Sequence, residues 1–196
     1  ERKNQNSRKF KIDNLCPSCG QKTGKQNDEA IIRCNNFYCP SQVLGRIQHY
    51  CSKLAMNIEG LGEKIVEQLI ENQLVKNIDD LYLIKKNEIS KLDGLGERSA
   101  ENIIDSINNS KETTFSKFVY ALGIRNVGEH TSKLLEKKFK GDMDRFKNAT
   151  EIGLLEVDEI GEIVARSIVS FWKDEKNSTM VQNCLNRGVI INRPID

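Results

Sequence analysis

Ile58-Glu59-Gly60-Leu61-Gly62, Leu92-Asp93-Gly94-Leu95-Gly96, Ile124-Arg125-Asn126-Val127-Gly128 and Val157-Asp158-Glu159-Ile160-Gly161 are four copies of one phrase. Each runs apolar residue, two further residues, apolar residue, glycine, and the closing glycines stand 34, 32 and 33 residues apart. A period of that size marks a structural repeat. Each copy reads as a tight turn feeding a helix: Gly60, Gly94 or Asn126 supplies a positive φ that most L-residues avoid, and the flanking aliphatics anchor the loop. With no bulky side chain at Gly62, Gly96, Gly128 or Gly161, the N–H groups that open the next helix can meet an anion closely, and the helix dipole favours negative charge there. Four such helix starts on a rigid frame suit the spaced phosphates of a nucleic acid. The competing reading is four plain turns in an all-helical bundle.

Composition narrows the field. The chain has 196 residues, 38% of them apolar, enough for one moderate core or two small ones. No apolar run approaches the roughly 18 to 20 residues that span a bilayer, and no hydrophobic segment with a cleavage site opens the sequence, so a cytoplasmic protein with no membrane partner is expected. The start at Glu1, in a basic stretch ending Phe10-Lys11-Ile12, suggests a piece of something longer. Net charge is only +2, which argues against a simple supercharged DNA binder. Residues 1–50 nevertheless hold nine Lys/Arg against four Asp/Glu, while the remainder holds 21 against 24. Any affinity for nucleic acid must therefore come from placed contacts and from the basic first part. Most other Lys and Glu read as solvated helix faces.

Four of the six cysteines form Cys16-Pro17-Ser18-Cys19 and, after fourteen intervening residues, Cys34-Asn35-Asn36-Phe37-Tyr38-Cys39. Two short-spaced pairs let four thiolates converge tetrahedrally on one ion at about 2.3 Å, the geometry of structural zinc. Disulfides are disfavoured in a reducing cytosol, and paired knuckles make poor crosslinks. With every position filled by protein sulfur, the zinc is structural and has no place for substrate. Cys51 and Cys184 read as small buried hydrophobes, and His49 as an ordinary surface or core histidine.

Residues 1–14 read as a basic arm, 15–55 as a four-cysteine zinc finger and connecting helix with a short hairpin around Ala30-Ile31-Ile32-Arg33, and 56–196 as an all-helical domain of four hairpins. The ribbon is too small for a core of its own, so metal binding supplies much of its folding free energy. Ser41 is the expected N-cap of the connecting helix, whose apolar positions are Val43, Leu44, Ile47, Tyr50, Cys51 and Leu54. Helical spacing recurs at Ile65, Val66, Leu69 and Ile70. It returns at Ile103, Ile104 and Ile107, at Phe115, Phe118, Val119 and Leu122, and at Leu134, Leu135 and Phe139. Asn77 to Ile84 reads as a short helix. The fourth copy carries Ile163, Val164, Ile168 and Phe171, and Met180, Val181 and Leu185 form a last helix closed by Gly188. Trp172 and Phe171 read as core, and strands are nearly absent. The expected class is mainly α. No catalytic constellation appears. Glu63, Glu97, Glu129 and Glu162 directly follow the closing glycines, where they complement helix N-termini and slightly oppose phosphate.

The zinc module followed by Met56-Asn57-Ile58-Glu59-Gly60-Leu61-Gly62-Glu63-Lys64, then Leu92 to Asn102, then Ala121 to Glu129, closely resembles the bacterial NAD-dependent DNA ligases. The resemblance runs from Cys16 to about Val189. It implies a zinc finger plus a four-hairpin helix-hairpin-helix domain that grips duplex DNA through the minor groove on both sides of a nick. For the whole enzyme it implies nick sealing in replication and repair, with NAD and Mg as cofactors and the adenylation and OB-fold domains as partners. The adenylation lysine motif of that family, Lys-x-Asp-Gly, is read as absent here, so that the chain is expected to be inactive alone. The basic arm is expected to be the tail of the OB-fold.

By the resemblance, DNA contact falls to Gly60, Gly62, Lys64, Gly94, Gly96, Arg98, Asn126, Gly128, His130 and Gly161. Lys64, Arg98 and His130 stand two residues past the closing glycines; Ile163 holds the fourth such place. Glu159 occupies the position of the first glycine, and its carboxylate is expected to repel phosphate. Two alternatives stay open: a stand-alone zinc-ribbon and hairpin adaptor in repair or recombination, and a helical bundle that binds proteins.

Overall fold

The computed structural model describes residues 14–25 and 31–193. The expected arm over 1–14, all but Asn14, and Ala30 of the expected hairpin lie outside these residues. The chain divides into two compact units, residues 1–42 and 43–196.

In the first unit, β1 (Thr23–Lys25) and β2 (Ile32–Cys34) pair antiparallel in the register Thr23 to Cys34 and Lys25 to Ile32. An isolated bridge joins Leu15 to Lys22. Strands of three residues bury little, and Leu15 and Ile31 are both 56% exposed. What gathers the unit is the convergence of its four cysteines. Helix α1 (Pro40–Cys51) then begins one residue before the expected N-cap. Pro40 at the first helical position has a φ already suited to the helix and no N–H to leave unpaired, so Ser41 lies inside the helix.

The second unit is helical, built as short helices joined by bends. Its further elements are α2 (Glu63–Glu71), a 3₁₀ turn (Ile78–Leu83), α3 (Lys86–Ile89), α4 (Glu97–Asn109), β3 (Glu112–Thr114), α5 (Phe115–Ala121) and α6 (Glu129–Phe139). After these come α7 (Met143–Lys147), α8 (Glu151–Leu155), α9 (Glu162–Lys173), α10 (Glu175–Asn186) and β4 (Ile190–Asn192). The expected short helix at 77–84 is this 3₁₀ turn, capped reciprocally by Asn77 and Asp80. Thr114, Asp142 and Thr150 cap α5, α7 and α8 with their side chains.

Amphipathic spacing places Val66, Leu69, Ile103, Ile107, Leu135 and Ile168 inside, all at most 3% exposed. An aromatic cluster of Phe115, Phe139, Phe146 and Trp172, with ring centroids 5.3 to 6.5 Å apart, joins α5, α6, α7 and α9. Some periodic positions face outward: Leu54 lies past the end of α1 at 56% exposure, and Ile163 is 70% exposed because it sits in the outward-facing first turn of α9. Phe171 is half-buried against Trp172. The parallel pairing of β3 with β4, in the register Glu112 to Ile190 and Thr114 to Asn192, has no counterpart in the sequence pattern.

The last helix is locked by a polar cluster. Asp79, 6% exposed, accepts from Asn183 Nδ2 and Arg187 Nη1 at 2.9 Å each, and Arg187 also donates to Asp80 at 3.2 Å. Burial raises the Asp79 carboxyl above its ordinary range, and the pairing with Asn183 and Arg187 offsets part of that cost.

Phe146 is fully buried at the centre of the aromatic cluster. Phe146→Ala is expected to cost about 3 to 5 kcal/mol in urea denaturation, because the surrounding rings cannot collapse onto the void.

Candidate nucleic-acid interface and metal centre

The sulfurs of Cys16, Cys19, Cys34 and Cys39 all lie within 4.8 Å of one another, Cys16 to Cys39 at 3.8 Å and Cys19 to Cys34 at 3.4 Å. Four thiolates held tetrahedrally at about 2.3 Å from one ion stand roughly 3.8 Å apart, so this set lies close to the spacing that zinc requires. No disulfide is formed among them. Asn36 N–H donates to Cys34 Sγ at 3.4 Å, and Cys16 N–H reaches the carbonyl of Gln21 at 2.8 Å, backbone contacts that orient the two knuckles. Cys51 and Cys184 stand apart, buried, their thiols pushed up to about 12 by burial. His49 is half-buried with Nε2 2.7 Å from the Tyr120 carbonyl.

Each of the four repeated phrases is a bend between helical segments. In the second, third and fourth, the fourth-position N–H donates to the first-position carbonyl at 3.1 Å (Leu95 to Leu92, Val127 to Ile124, Ile160 to Val157). The third position has positive φ in every copy: Gly60 at 87°, Gly94 at 78°, Asn126 at 59° and Glu159 at 66°. This is the pattern of a type II turn. Ile58, Leu61, Leu92, Ile124, Val127, Val157 and Ile160 are buried, as the anchoring argument requires, whereas Leu95 in the second copy is only half-buried.

The closing glycines behave differently from the third-position residues. Gly62, Gly96, Gly128 and Gly161 are the N-caps of α2, α4, α6 and α9, with φ between −112° and −69° in extended backbone open to any residue. No neighbouring heavy atom lies within 4 Å of where their Cβ atoms would stand. Neither dihedral nor internal packing calls for glycine there. No side chain caps the N–H groups of these four helices, in contrast to α5, α7 and α8. Lys64, Arg98 and His130 are exposed in the first turns of α2, α4 and α6. Three of the four first-turn glutamates are drawn aside: Glu129 to Lys133 at 2.6 Å, Glu162 to Arg166 at 2.8 Å and Glu97 to Lys86 at 3.4 Å. The Lys133 ammonium holds Glu129 below the usual carboxylate range.

The expected absence of Lys-x-Asp-Gly needs correction, because these letters occur at Lys91-Leu92-Asp93-Gly94. They spell the entry to the second bend. Leu92 is buried, Asp93 N–H donates to Gln68 Oε1 at 2.7 Å, and Gly94 takes the left-handed conformation. Gln68, Ser106 and Ser167, which hydrogen-bond to bends 25 to 47 residues away, were not legible in the sequence, because nothing local marks such pairs.

Comparisons with known proteins follow the same division. Residues 16–40 match the NAD-dependent DNA ligase C4 zinc finger domain, residues 52–109 a SAM-like helix-hairpin-helix tandem and residues 117–181 a helix-hairpin-helix motif. A four-cysteine zinc finger followed by tandem helix-hairpin-helix units is therefore the class of protein that the fold and site define. The chain is 42% identical to a DNA ligase of Geobacter sulfurreducens over 189 residues, 96% of this chain and 28% of the relative. A DNA ligase of Geobacter metallireducens gives the same figures, and one of Syntrophobacter fumaroxidans is 38% identical over 92% of the chain. Residues 16–40 thus match the C4 zinc finger of the NAD-dependent DNA ligases, and the chain is similar over nearly its whole length to DNA ligases, of whose length it spans about a quarter.

Two measurements test this site. Stripping the metal with a strong chelator, or Cys19→Ser, is expected to abolish zinc stoichiometry and melt the β1–β2 unit while the far-UV helical signal persists. Gly60→Ala, which adds a Cβ at φ 87° with Ile103 Cγ1 only 2.7 Å from it, is expected to destabilise by about 2 kcal/mol or more. Gly62→Ala should cost under about 1 kcal/mol in the same denaturation experiment.

Proposed function

We propose that this chain is the part of an NAD-dependent DNA ligase that holds duplex DNA around a nick, without reading sequence. The observation that carries the proposal is the set of four uncapped helix starts behind glycines whose missing side chains face open space. A phosphate approaching Gly62, Gly96, Gly128 or Gly161 meets first-turn N–H groups and the positive helix end together. The turn residues Gly60, Gly94 and Asn126 shape these approaches, while Lys64 and Arg98 add cationic reach. Backbone donors and point charges grip phosphates of any sequence, which suits an enzyme acting at arbitrary nicks.

In this reading the zinc is structural, residues 15–55 are the zinc finger and connecting helix, and residues 56–196 form the DNA-binding domain. Nick sealing, with NAD and Mg as cofactors, belongs to the longer protein, whose adenylation and OB-fold domains are partners of this region in a cytoplasmic, nucleoid-associated enzyme. Because Asp93 and Gly94 are committed to the second bend, Lys91 is not an adenylation lysine, and the chain alone is inactive in sealing.

A labelled nicked duplex titrated with the chain at low salt is expected to bind at micromolar or tighter affinity, equally for unrelated sequences. Log affinity should fall with log salt at a slope of roughly −2 to −4, as expected when a few phosphates are engaged. The double variant Lys64→Glu/Arg98→Glu should weaken binding by about tenfold or more and flatten that slope. Affinity unchanged by the double reversal would favour a protein-binding bundle instead.

A further inference from the structure

We propose that Asn126 and Glu159 are positioning residues that latch the third and fourth bends into one DNA-gripping body, so that Glu159 serves DNA binding instead of opposing it. The proposal rests on the DNA-binding reading above. It starts from an oddity: the third position of every bend is left-handed, yet two copies place a side chain there, one of them a glutamate at φ 66°. Glycine takes that conformation without strain, and a long unbranched acid does not.

The side chains account for the strain. Asn126 Nδ2 donates to Ser167 Oγ at 3.1 Å, on α9, the helix that follows the fourth bend. The Glu159 carboxylate meets His130 Nε2 at 3.0 Å, on α6, the helix that follows the third. Each bend is thus tied to the helix its partner introduces. The first and second bends achieve the same exchange by another route. Glu59 N–H donates to Ser106 Oγ on α4 at 2.7 Å, and Gln68 on α2 both accepts from Asp93 N–H at 2.7 Å and donates to its carbonyl at 3.2 Å. There the backbone of the second position makes the latch, and a third-position side chain has no task. In the third and fourth bends, glycine at the third position would remove the contacts to Ser167 and His130.

The latch also changes the electrostatic reading of this pair. His130, which occupies the place of Lys64 and Arg98, is engaged by Glu159, so the carboxylate is directed at the neighbouring bend's histidine. Both side chains are about two-thirds exposed, and exposed pairs add little to overall stability. Their effect lies in where the starts of α6 and α9 stand relative to each other, hence in whether one duplex meets both at once.

The test uses Glu159→Gly, the double variant Asn126→Gly/Glu159→Gly, and Glu159→Gln. Glycine relieves the left-handed strain, so both glycine variants should melt at or above the parent's temperature. They should nonetheless bind a labelled nicked duplex more weakly, about fivefold for the double variant, with a salt slope shallower by about one. Glu159→Gln keeps an oxygen to accept from Nε2 and should bind within about twofold of the parent. Glycine variants that bind as tightly as the parent, or more tightly, overturn the latch and restore simple repulsion at Glu159. A parent chain that binds no duplex overturns the DNA-binding reading and the latch with it.

Discussion

At Gly60, Gly94, Asn126 and Glu159 the backbone passes through positive φ, and that passage reverses the chain so that the fourth-position aliphatic turns back toward the core, fully buried at Leu61, Val127 and Ile160 and half-buried at Leu95, while the fifth-position glycine faces out. Inward anchoring and outward presentation are two results of one dihedral. If the third residue stayed in ordinary extended backbone, the turn would not close, the anchor would be lost and the next helix would start in another direction. The core of the helical unit is then free to be ordinary: aliphatic stripes and an aromatic cluster hold the frame on which four helix starts are displayed.

The zinc unit meets a different constraint. Strands of three residues with exposed Leu15 and Ile31 bury too little apolar surface to offset the entropy of ordering the chain. Four sulfurs within 4.8 Å substitute one strong centre for a hydrophobic core. The chain therefore solves the problem of a stable surface twice, by metal in one unit and by helix packing in the other.

Long-range polar contacts decide how the helical parts assemble. Asp79 with Asn183 and Arg187 ties the 3₁₀ turn to α10, more than 100 residues along the chain. The reciprocal contacts of Gln68, Ser106, Ser167 and His130 pair the first bend with the second and the third with the fourth. Contacts of this kind are small individually, yet their directional geometry fixes how neighbouring helices meet.

Much of this was legible beforehand because its causes are local. A recurring phrase with glycine or asparagine at one position dictates bends, the Cys16 to Cys39 spacing dictates a four-thiolate site, and helical periodicity picks out Val66, Ile103, Phe118, Leu135 and Ile168 as core. The outward turn of Ile163, the opening of α1 at Pro40 in place of Ser41 and the β3–β4 pairing escaped, since each depends on what lies opposite or on a one-residue shift at an end. Glu159 is the clearest division between the two. By itself the sequence determined that a bend occurs there, because anchors and closing glycine are set by neighbours along the chain. Only the tertiary structure decided what its carboxylate does, because the histidine it meets is brought alongside by packing of helices that the local pattern does not specify.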